Sequence, residues 1–576
     1  MATHRIETDV LVVGGGIAAV FAACKAREYG VDVMLVDKAH LGRSGCTALA
    51  SGVNHFFQPG DDEDVWIRGE SNPQTNHRLF KENLMRTYEV QKFLERAGVK
   101  FVMDGGKVLR VGGARLAVPH SSMMAEGGPQ MGLALRAETL RQGVRVINRV
   151  MITGLLTSDG KLPTQGRVVG AVGFHARTGE SYVFRAKAVI MCTGPYGIPY
   201  HRAETTYVTR SMPIDASGEG IHAMWEAGAV LGKMEIGIKS PSPIEFDCAP
   251  ALEMLTALGG HTIWVNRLGH RFLTEEFRKK DFGRSAVASA ILKEYLEGRG
   301  PVGINVSHLR PDERRLLKQV VPIVVGNFES AGYDLARDTV PYSVGVPAGK
   351  GVSGAGARIN ERGETSIAAL YAAGNCSDGA YICLGQTLYV CGLTGWWAGE
   401  SAAKWVRTEM KMPEVSADQV ALYEQRYSEP RSVKDPLAFE EVRDQVAEIQ
   451  LGLTPTLNAR NLGAALDRLD SVIEEKLPKL GASDPRRLAR VNAIKVSLPI
   501  MRLVLQIMEH RKESRGNLIR DDHPFTDNDE WLVHTVIQRA TERESRLWDI
   551  PVPEDWWILR PPKGKFLHPY FQEAGK

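Results

Sequence analysis

The run Val10-Leu11-Val12-Val13 is followed at once by Gly14-Gly15-Gly16-Ile17-Ala18-Ala19. Residue types in this order suit one task well, which is holding a phosphate ester against a helix end. The apolar run has the pattern of a parallel strand buried on both faces. Gly14 permits a tight turn, Gly16 lets backbone approach a pyrophosphate, and Ala19 allows close helix–strand packing. Val20 to Glu28 reads as a small-residue helix ended by Gly30, and its N-terminus presents unpaired N–H groups and a dipole that favour an anion. Val31 to Val36 returns as a second strand closing on Asp37-Lys38, with Asp37 placed to accept hydrogen bonds from ribose hydroxyls. A glycine triplet alone predicts only a βα turn. The full set of strand, turn, helix, strand and acid predicts a dinucleotide site.

Two later segments narrow the dinucleotide. Val168–Phe174 and Tyr182–Phe184 alternate as strands around the turn Arg177-Thr178-Gly179-Glu180, and Ala186 to Met191 forms an apolar strand ending in Cys192-Thr193-Gly194. Ala369 to Ala373 is again a strand ending in glycine, Gly374-Asn375, followed by a glycine-bearing helix from Thr387 to Trp405. Three such strand ends separated by long insertions suit a flavin adenine dinucleotide (FAD) domain built from discontinuous pieces.

The elements that must position these residues divide the 576-residue chain. Residues 1–237 and 346–429 read as the two parts of a Rossmann-like α/β FAD-binding domain. Residues 238–345, with Pro241, Pro243 and Pro250, read as an inserted α+β capping domain. From residue 430 the chain reads as a helical C-terminal domain, with apolar three- and four-residue spacing at Ala438–Leu451, Leu462–Lys479 and Asp484–Arg511. The last 25 or so residues, with Trp556-Trp557, Pro561-Pro562 and Tyr570-Phe571, promise little regular structure.

Composition excludes several classes. Apolar residues are 43%, charged residues 24% and aromatics 7%, as in ordinary folded proteins. No run of eighteen apolar residues lacks a charge, so no transmembrane span is expected. Lys plus Arg is 71 against 68 Asp plus Glu, too balanced for a generic nucleic-acid binder, which disfavours an FAD-dependent RNA-modifying protein. Seven scattered cysteines without a C-x-x-C argue for reduced thiols and against a zinc or iron–sulfur site, so no metal is expected. No secretory signal is readable, and a cytoplasmic location is the expectation.

In its order of motifs the chain resembles the flavoprotein subunits of fumarate reductase, succinate dehydrogenase, L-aspartate oxidase and adenylylsulfate reductase. The resemblance rests on Gly14-Gly15-Gly16, Arg43-Ser44-Gly45-Cys46-Thr47, Asp215-Ala216-Ser217-Gly218-Glu219-Gly220, Asn266 to Phe272, Gly283-Arg284, Leu370 to Gly374, and Arg511 to Gly516 with Arg520 to Pro524. It implies flavin contacts at Gly14, Gly16, Ile17, Ala18, Ala19, Asp37, Lys38, Ser44, Gly45, Cys46, Thr47, Ser51, Gly52, Thr193, Gly194, Asp215, Gly374, Asn375, Thr387 and Leu388. In the respiratory relatives a histidine after Arg-Ser carries covalent flavin. Here Gly45 stands there, as in the adenylylsulfate reductase branch, so FAD is expected to be noncovalent.

The dicarboxylate enzymes of that family use a His-x-Thr, a His before Gly-Gly and an Arg near the last FAD helix. Residues 236–247 contain no His-x-Thr, residues 351–356 no His, and Ile382-Cys383-Leu384-Gly385-Gln386 no Arg. Carboxylates left without partners in a closed site cost several kcal/mol, which disfavours succinate or fumarate. The resemblance keeps Arg284 as a proton shuttle. Tyr342 and Lys350, in the hinge back to the FAD domain, are candidates to protonate a substrate or hold one carboxylate, with a loop tyrosine and a solvated lysine as the simpler reading. His261 and His270 read as surface histidines, and Cys376, Cys383 and Cys391 as small packing residues. The expectation is an FAD-dependent oxidoreductase that reduces or forms an activated C=C bond, coupled to an outside electron carrier such as a ferredoxin-like iron–sulfur subunit. Sulfur-oxyanion chemistry, or a noncatalytic electron-relay subunit in a homo- or hetero-oligomer, are the alternatives.

Overall fold

In the computed structural model the described residues are 2–50, 52–111, 121–197, 216–235, 241–243, 263–273, 290–344, 354–382 and 388–572, apart from 292, 296, 410, 454, 455, 517, 542 and 543. The apolar runs form the centre of a seven-stranded sheet. Its order is Arg145–Asn148, Val33–Asp37, Thr3–Val13, Ser181–Met191, Val168–His175, Val150–Thr157, with Leu370–Ala372 also pairing with Ser181–Met191. The pairings around Thr3–Val13 and the pairing to Leu370–Ala372 are parallel, while Val168–His175 and Val150–Thr157 run antiparallel. Val10, Leu11 and Val12 are fully enclosed, as both-face burial of a parallel strand requires.

Ser181–Met191 is one continuous strand where the sequence pattern reads as two. Its first half alternates buried and half-buried positions, and its second half is buried throughout. The change of pattern marks the point where one partner strand gives way to another, with Gly170 to Phe174 pairing along residues 181–185 and Leu370 to Ala372 along 189–191.

The crossover helix Ile17–Glu28 is nearly all small residues on its inner side and packs on the long helix Leu388–Thr408. A Cβ on Gly395 would lie 2.5 Å from the Ala18 carbonyl oxygen, and one on Gly399 would lie 2.3 Å from that of Ala22. Glycine on one helix facing alanine on the other therefore sets how closely the two backbones approach.

Residues 241–344 contribute a four-stranded antiparallel sheet, ordered Pro241–Pro243, Thr339–Val344, Val302–Asn305, Ile263–Val265. Helices Pro311–Val320 and Pro322–Ser330 follow in the same region, and a separate apolar core contains Trp264, Ile304, Phe328 and Tyr342.

The C-terminal region carries helices Phe439–Leu451, Ala459–Ser471 and Pro485–His510, close to the expected spans. The last is long and apolar enough to cross a membrane, but 67% of its most apolar stretch is buried in protein. The region also contains strands that the periodicity did not signal. Val533–Arg539 pairs with Ser545–Pro551 on one side and with Leu231–Gly232 on the other, and Leu231–Gly232 pairs in turn with Gly356–Ala357. The aromatic tail folds back on its own chain: Trp557 Nε1 donates to the Pro73 carbonyl at 2.8 Å, and Lys565–Leu567 pairs with Phe525–Asp527.

Candidate functional site

The parallel strands Thr3–Val13, Val33–Asp37, Ser181–Met191 and Leu370–Ala372 end together, and a cavity opens beyond their carboxyl ends. That is where open α/β sheets bind ligands. Its wall includes Gly14, Gly16, Ile17, Ala18, Asp37, Lys38, Ser44, Gly45, Cys46, Thr47, Thr193, Gly194, Gly374 and Asn375. Chain segments as far apart as residues 14 and 375 thus converge on one space, as the sequence pattern requires.

Close approach explains the glycines. Gly14 has φ +125°, and a Cβ there would sit 2.2 Å from the Cys192 carbonyl oxygen. A Cβ on Gly15 would lie 2.7 Å from the Asp37 carboxyl, and one on Gly374 would lie 2.8 Å from the Ala18 Cβ. Gly45, at φ +72°, has nothing within 4 Å of its Cβ position. It holds a left-handed backbone conformation that other residues reach only with strain.

The polar groups are arranged for a dinucleotide. Helix Ile17–Glu28 begins at Gly16, and the Ile17 N–H donates to Thr47 Oγ1 at 3.0 Å. Thr47 is held by the short helix Gly45–Ala48, so the phosphate-facing turn and the Arg43–Thr47 loop are tied together. Asp37 is buried at the end of its strand, and the Ser44 hydroxyl donates to its Oδ2 at 3.4 Å. Burial pushes the Asp37 carboxyl above its ordinary pKa, against the opposing pull of the Ala39 N–H, Lys38 and Ser44. Further hydroxyl donors, such as those of a ribose, favour its charged form. Lys38 Nζ donates to Glu219 Oε1 at 2.7 Å and to Ser217 Oγ at 3.3 Å, fastening the acid's strand to the start of helix Glu219–Ala227.

The thiols here are inert. Burial pushes Cys46 up to about 12 and raises Cys192 well above an ordinary thiol. Burial also raises Cys376, against nearby hydrogen bonds. All three are reduced thiols that stay neutral near pH 7. Among the described residues no group of His, Cys, Asp and Glu could hold a metal.

A family model described as FAD binding domain matches residues 9–386, and one described as fumarate reductase flavoprotein C-term matches residues 453–563. The chain belongs to this FAD-binding flavoprotein family. It is an FAD-dependent oxidoreductase of the fumarate reductase and succinate dehydrogenase type. A fumarate reductase (CoM/CoB) subunit from Methanothermobacter marburgensis is 28% identical over 94% of this chain and 99% of that protein. The fumarate reductase flavoprotein subunit of Mycobacterium tuberculosis is 24% identical over 96% and 98%. Among solved structures, an E. coli quinol fumarate reductase chain aligns with TM-score 0.82 and 20% identity over 97% of this chain and 99% of that one. Adenylylsulfate reductase from Archaeoglobus fulgidus aligns at 0.80 with 19% identity over 96% and 97%, showing the same fold.

The cavity residues of this flavoprotein fit FAD. Gly14 and Gly16 would let backbone close on the pyrophosphate at the helix start, and Asp37 would accept from the adenosine ribose. Gly374 and Asn375 line the opposite wall. When bound, the cofactor exchanges an electron pair with substrate, and the protein supplies orientation and protons.

Several expected contacts fall elsewhere. Ala19 is buried in helix packing, Gly52 sits at φ +101° with its Cβ position 3.0 Å from the Met124 carbonyl oxygen, and Leu388 starts its helix against the main core. None of the three is in the cavity wall. Tyr342 is not in a hinge facing a substrate. It is fully buried in the core of the 241–344 region, edge-on to Trp264 at 5.3 Å, and its carbonyl accepts from the Tyr295 hydroxyl at 2.7 Å. His270 lies exposed in a turn. Ser51, Asp215, Thr387, Arg284, Lys350, His261, Cys248 and Cys383 lie outside the described residues. The wall also contains Gly15, Met151, Cys192, Glu219 and Cys391, absent from the sequence expectation. Gly15 and Cys192 sit within turns already marked by the sequence, whereas Met151, Glu219 and Cys391 reach the cavity only through tertiary packing.

Proposed function

We propose that the flavoprotein passes an electron pair between FAD and a small substrate carrying an activated C=C bond, with electrons exchanged through an outside carrier. One observation carries this reading. The FAD cavity is complete in type, yet residues 236–247, 351–356 and 382–386 contain no His-x-Thr, no His and no Arg. A dicarboxylate bound there would lack the family's usual partners, and carboxylates left unpaired cost on the order of several kcal/mol. The CoM/CoB fumarate reductase relative, aligned over nearly its whole length, supports reduction of a C=C bond as the reaction type. Gly45 supports a noncovalent flavin, and it favours sulfur-oxyanion chemistry as the second reading. The designation of relatives as subunits supports a partner chain as the electron carrier.

The test is anaerobic photoreduction of the purified flavoprotein, followed by mixing with a substrate panel. It contains enones, α,β-unsaturated monocarboxylates, fumarate, sulfite and adenylylsulfate. Rapid flavin reoxidation by an unsaturated compound other than fumarate is expected. Reoxidation by fumarate at a comparable rate overturns the reading, and reoxidation by adenylylsulfate alone transfers it to sulfur chemistry.

A further inference from the structure

Among the described residues the cavity wall carries three charged side chains, Asp37, Lys38 and Glu219. Asp37 has its place beside the ribose. Glu219 has the wrong sign for a wall that takes a pyrophosphate, and left uncompensated it would repel the cofactor. Lys38 Nζ compensates it at 2.7 Å, and the two side chains are only 29% and 11% exposed. A pair so sheltered is screened by salt less than a surface pair.

A hydrogen-bonded triangle holds the pair. The Ser217 hydroxyl donates to the same Glu219 oxygen at 2.6 Å and accepts from Lys38 Nζ at 3.3 Å. Ser217 is buried and is not part of the wall. Its backbone is pinned in turn. Residue 217 bridges to Tyr196, and Gly218, at φ +83°, packs so closely that its Cβ position lies 2.9 Å from the Tyr196 ring. Lys38 and Glu219 stand 181 positions apart in the chain, so the triangle fixes the spacing of two wall elements that are remote in sequence.

The triangle also reaches the C-terminal region. Ser497, fully buried in helix Pro485–His510, places its hydroxyl 2.9 Å from the Ser217 carbonyl oxygen. The same hydroxyl lies 2.7 Å from the Ala493 carbonyl, but an α-helix already serves that carbonyl with the N–H four residues on. The Ser217 carbonyl is therefore the acceptor that gains. Helix Pro485–His510 contributes no residue to the cavity wall, yet it is joined to Glu219 through Ser217.

We propose that Lys38, Ser217 and Glu219 form a clasp that sets how long FAD stays bound, and that helix Pro485–His510 keeps it in register through Ser497. This rests on the FAD site alone and not on the substrate reading. Closed, the clasp cancels the Glu219 charge and holds two wall elements at a fixed spacing around the cofactor. Without Lys38, the charge is exposed to the pyrophosphate and the tie is lost. With Glu219 made neutral no repulsion remains, so only the lost tie can quicken release. The helical C-terminal region thereby takes part in cofactor retention from outside the cavity wall.

The test follows FAD leaving the loaded protein, read as the rise in flavin fluorescence after dilution. Lys38→Met and Glu219→Gln should each quicken release about tenfold, and the double variant no more than either, because coupled neighbours act as one unit. Lys38→Arg should keep release slow. Ser497→Ala should quicken release about threefold. Tyr196→Phe is the comparison, since the Tyr196 hydroxyl donates to the Ser497 carbonyl at 3.1 Å and its loss leaves the Ser497 hydroxyl on Ser217. That variant should release FAD at the wild-type rate. Unchanged or slower release in Glu219→Gln overturns the clasp and leaves Lys38 acting on the pyrophosphate by itself. Equal quickening by Ser497→Ala and Tyr196→Phe overturns the helix's part, since general loosening would then suffice. If Glu219→Gln fails to load flavin, Ser217→Ala decides. It leaves every charged group of the wall in place and should still quicken release, and an unchanged rate there overturns the clasp.

Discussion

At Gly14 a single methyl group meets two obstacles at once, the positive φ and the Cys192 carbonyl 2.2 Å away. Gly14→Ala should therefore cost about 2–4 kcal/mol and lower both the thermal midpoint and FAD content. Gly16 differs, since its Cβ position meets only Thr47 Oγ1, at 3.1 Å. Gly16→Val should leave a folded chain with flavin content reduced at least about tenfold, because the branched side chain takes the pyrophosphate's space. A normal flavin-to-protein ratio in that variant would reduce the glycine turn to a purely structural role. Gly45 leads to a further expectation: acid precipitation should release all flavin into the supernatant, and yellow colour in the pellet would show a covalent bond at another residue. Asp37 and Gly374 follow from motif spacing and strand ends, Thr47 only from the family resemblance, and the structure places all three in the cavity wall. Gly15 against Asp37, and Tyr381 against Gly232, were not legible in the sequence, because those contacts join distant segments and leave no local period.

At the scale of elements, the strand Val533–Arg539 couples the C-terminal region to the FAD domain through His534, whose Nε2 donates to the Gln74 carbonyl at 2.8 Å. Burial lowers the His534 pKa to about 3 from 6.5. The unfolded chain then binds a proton there below pH 6.5 and the folded one does not, so this group's contribution is full above 6.5 and is lost as pH falls toward 3. Asp378 has the opposite sign. Its pKa rises from 3.8 to about 6, so its contribution is full below 3.8 and is lost as pH rises through 6. Each slope is about 1.4 kcal/mol per pH unit inside its window, and between pH 4 and 6 the two offset each other. His534→Gln should become more stable on acidification from pH 6 to 4.5, and Asp378→Asn less stable, each relative to wild type. Thermal midpoints that follow one common pH profile in all three proteins would show that neither group carries the linkage. The opening βαβ unit and the three long C-terminal helices were readable because their periods run unbroken. Ser181–Met191 read as two strands because its partners change midway, and the strands after residue 525 were hidden by the proline and aromatic content around them.

For the whole molecule the open question is where electrons enter. The cavity is lined for a dinucleotide, the described cysteines are separate buried or half-buried thiols, and no metal-binding group occurs among the described residues. The naming of relatives as subunits motivates an outside carrier that meets the FAD domain or its neighbours. The tail's two tryptophans are committed internally, Trp557 to Pro73 and Trp556 beside Tyr381 and His534 at 6.2 and 5.4 Å. What stays exposed nearby is Phe525, Ile558, Leu559 and Phe566, each 36–47% exposed. Phe525 and Phe566 belong to one strand pair, and Leu559 N–H donates to His77 at the start of helix His77–Arg96. The register opposes Phe525 to Leu567 and Phe566 to Thr526, so the two rings lie on opposite faces of the pair, and exposed Phe566 on its face suits an anchor for a partner chain. We expect a ferredoxin-like iron–sulfur protein to co-purify from native extract and to be needed for turnover. Phe566→Asp should weaken that association and reduce partner-driven flavin reduction about tenfold, while reduction by a small viologen dye stays unchanged. Equal loss with both donors would place the defect in folding or in the flavin site. Full activity of the isolated chain with oxygen or a nicotinamide cofactor would remove the need for a partner altogether.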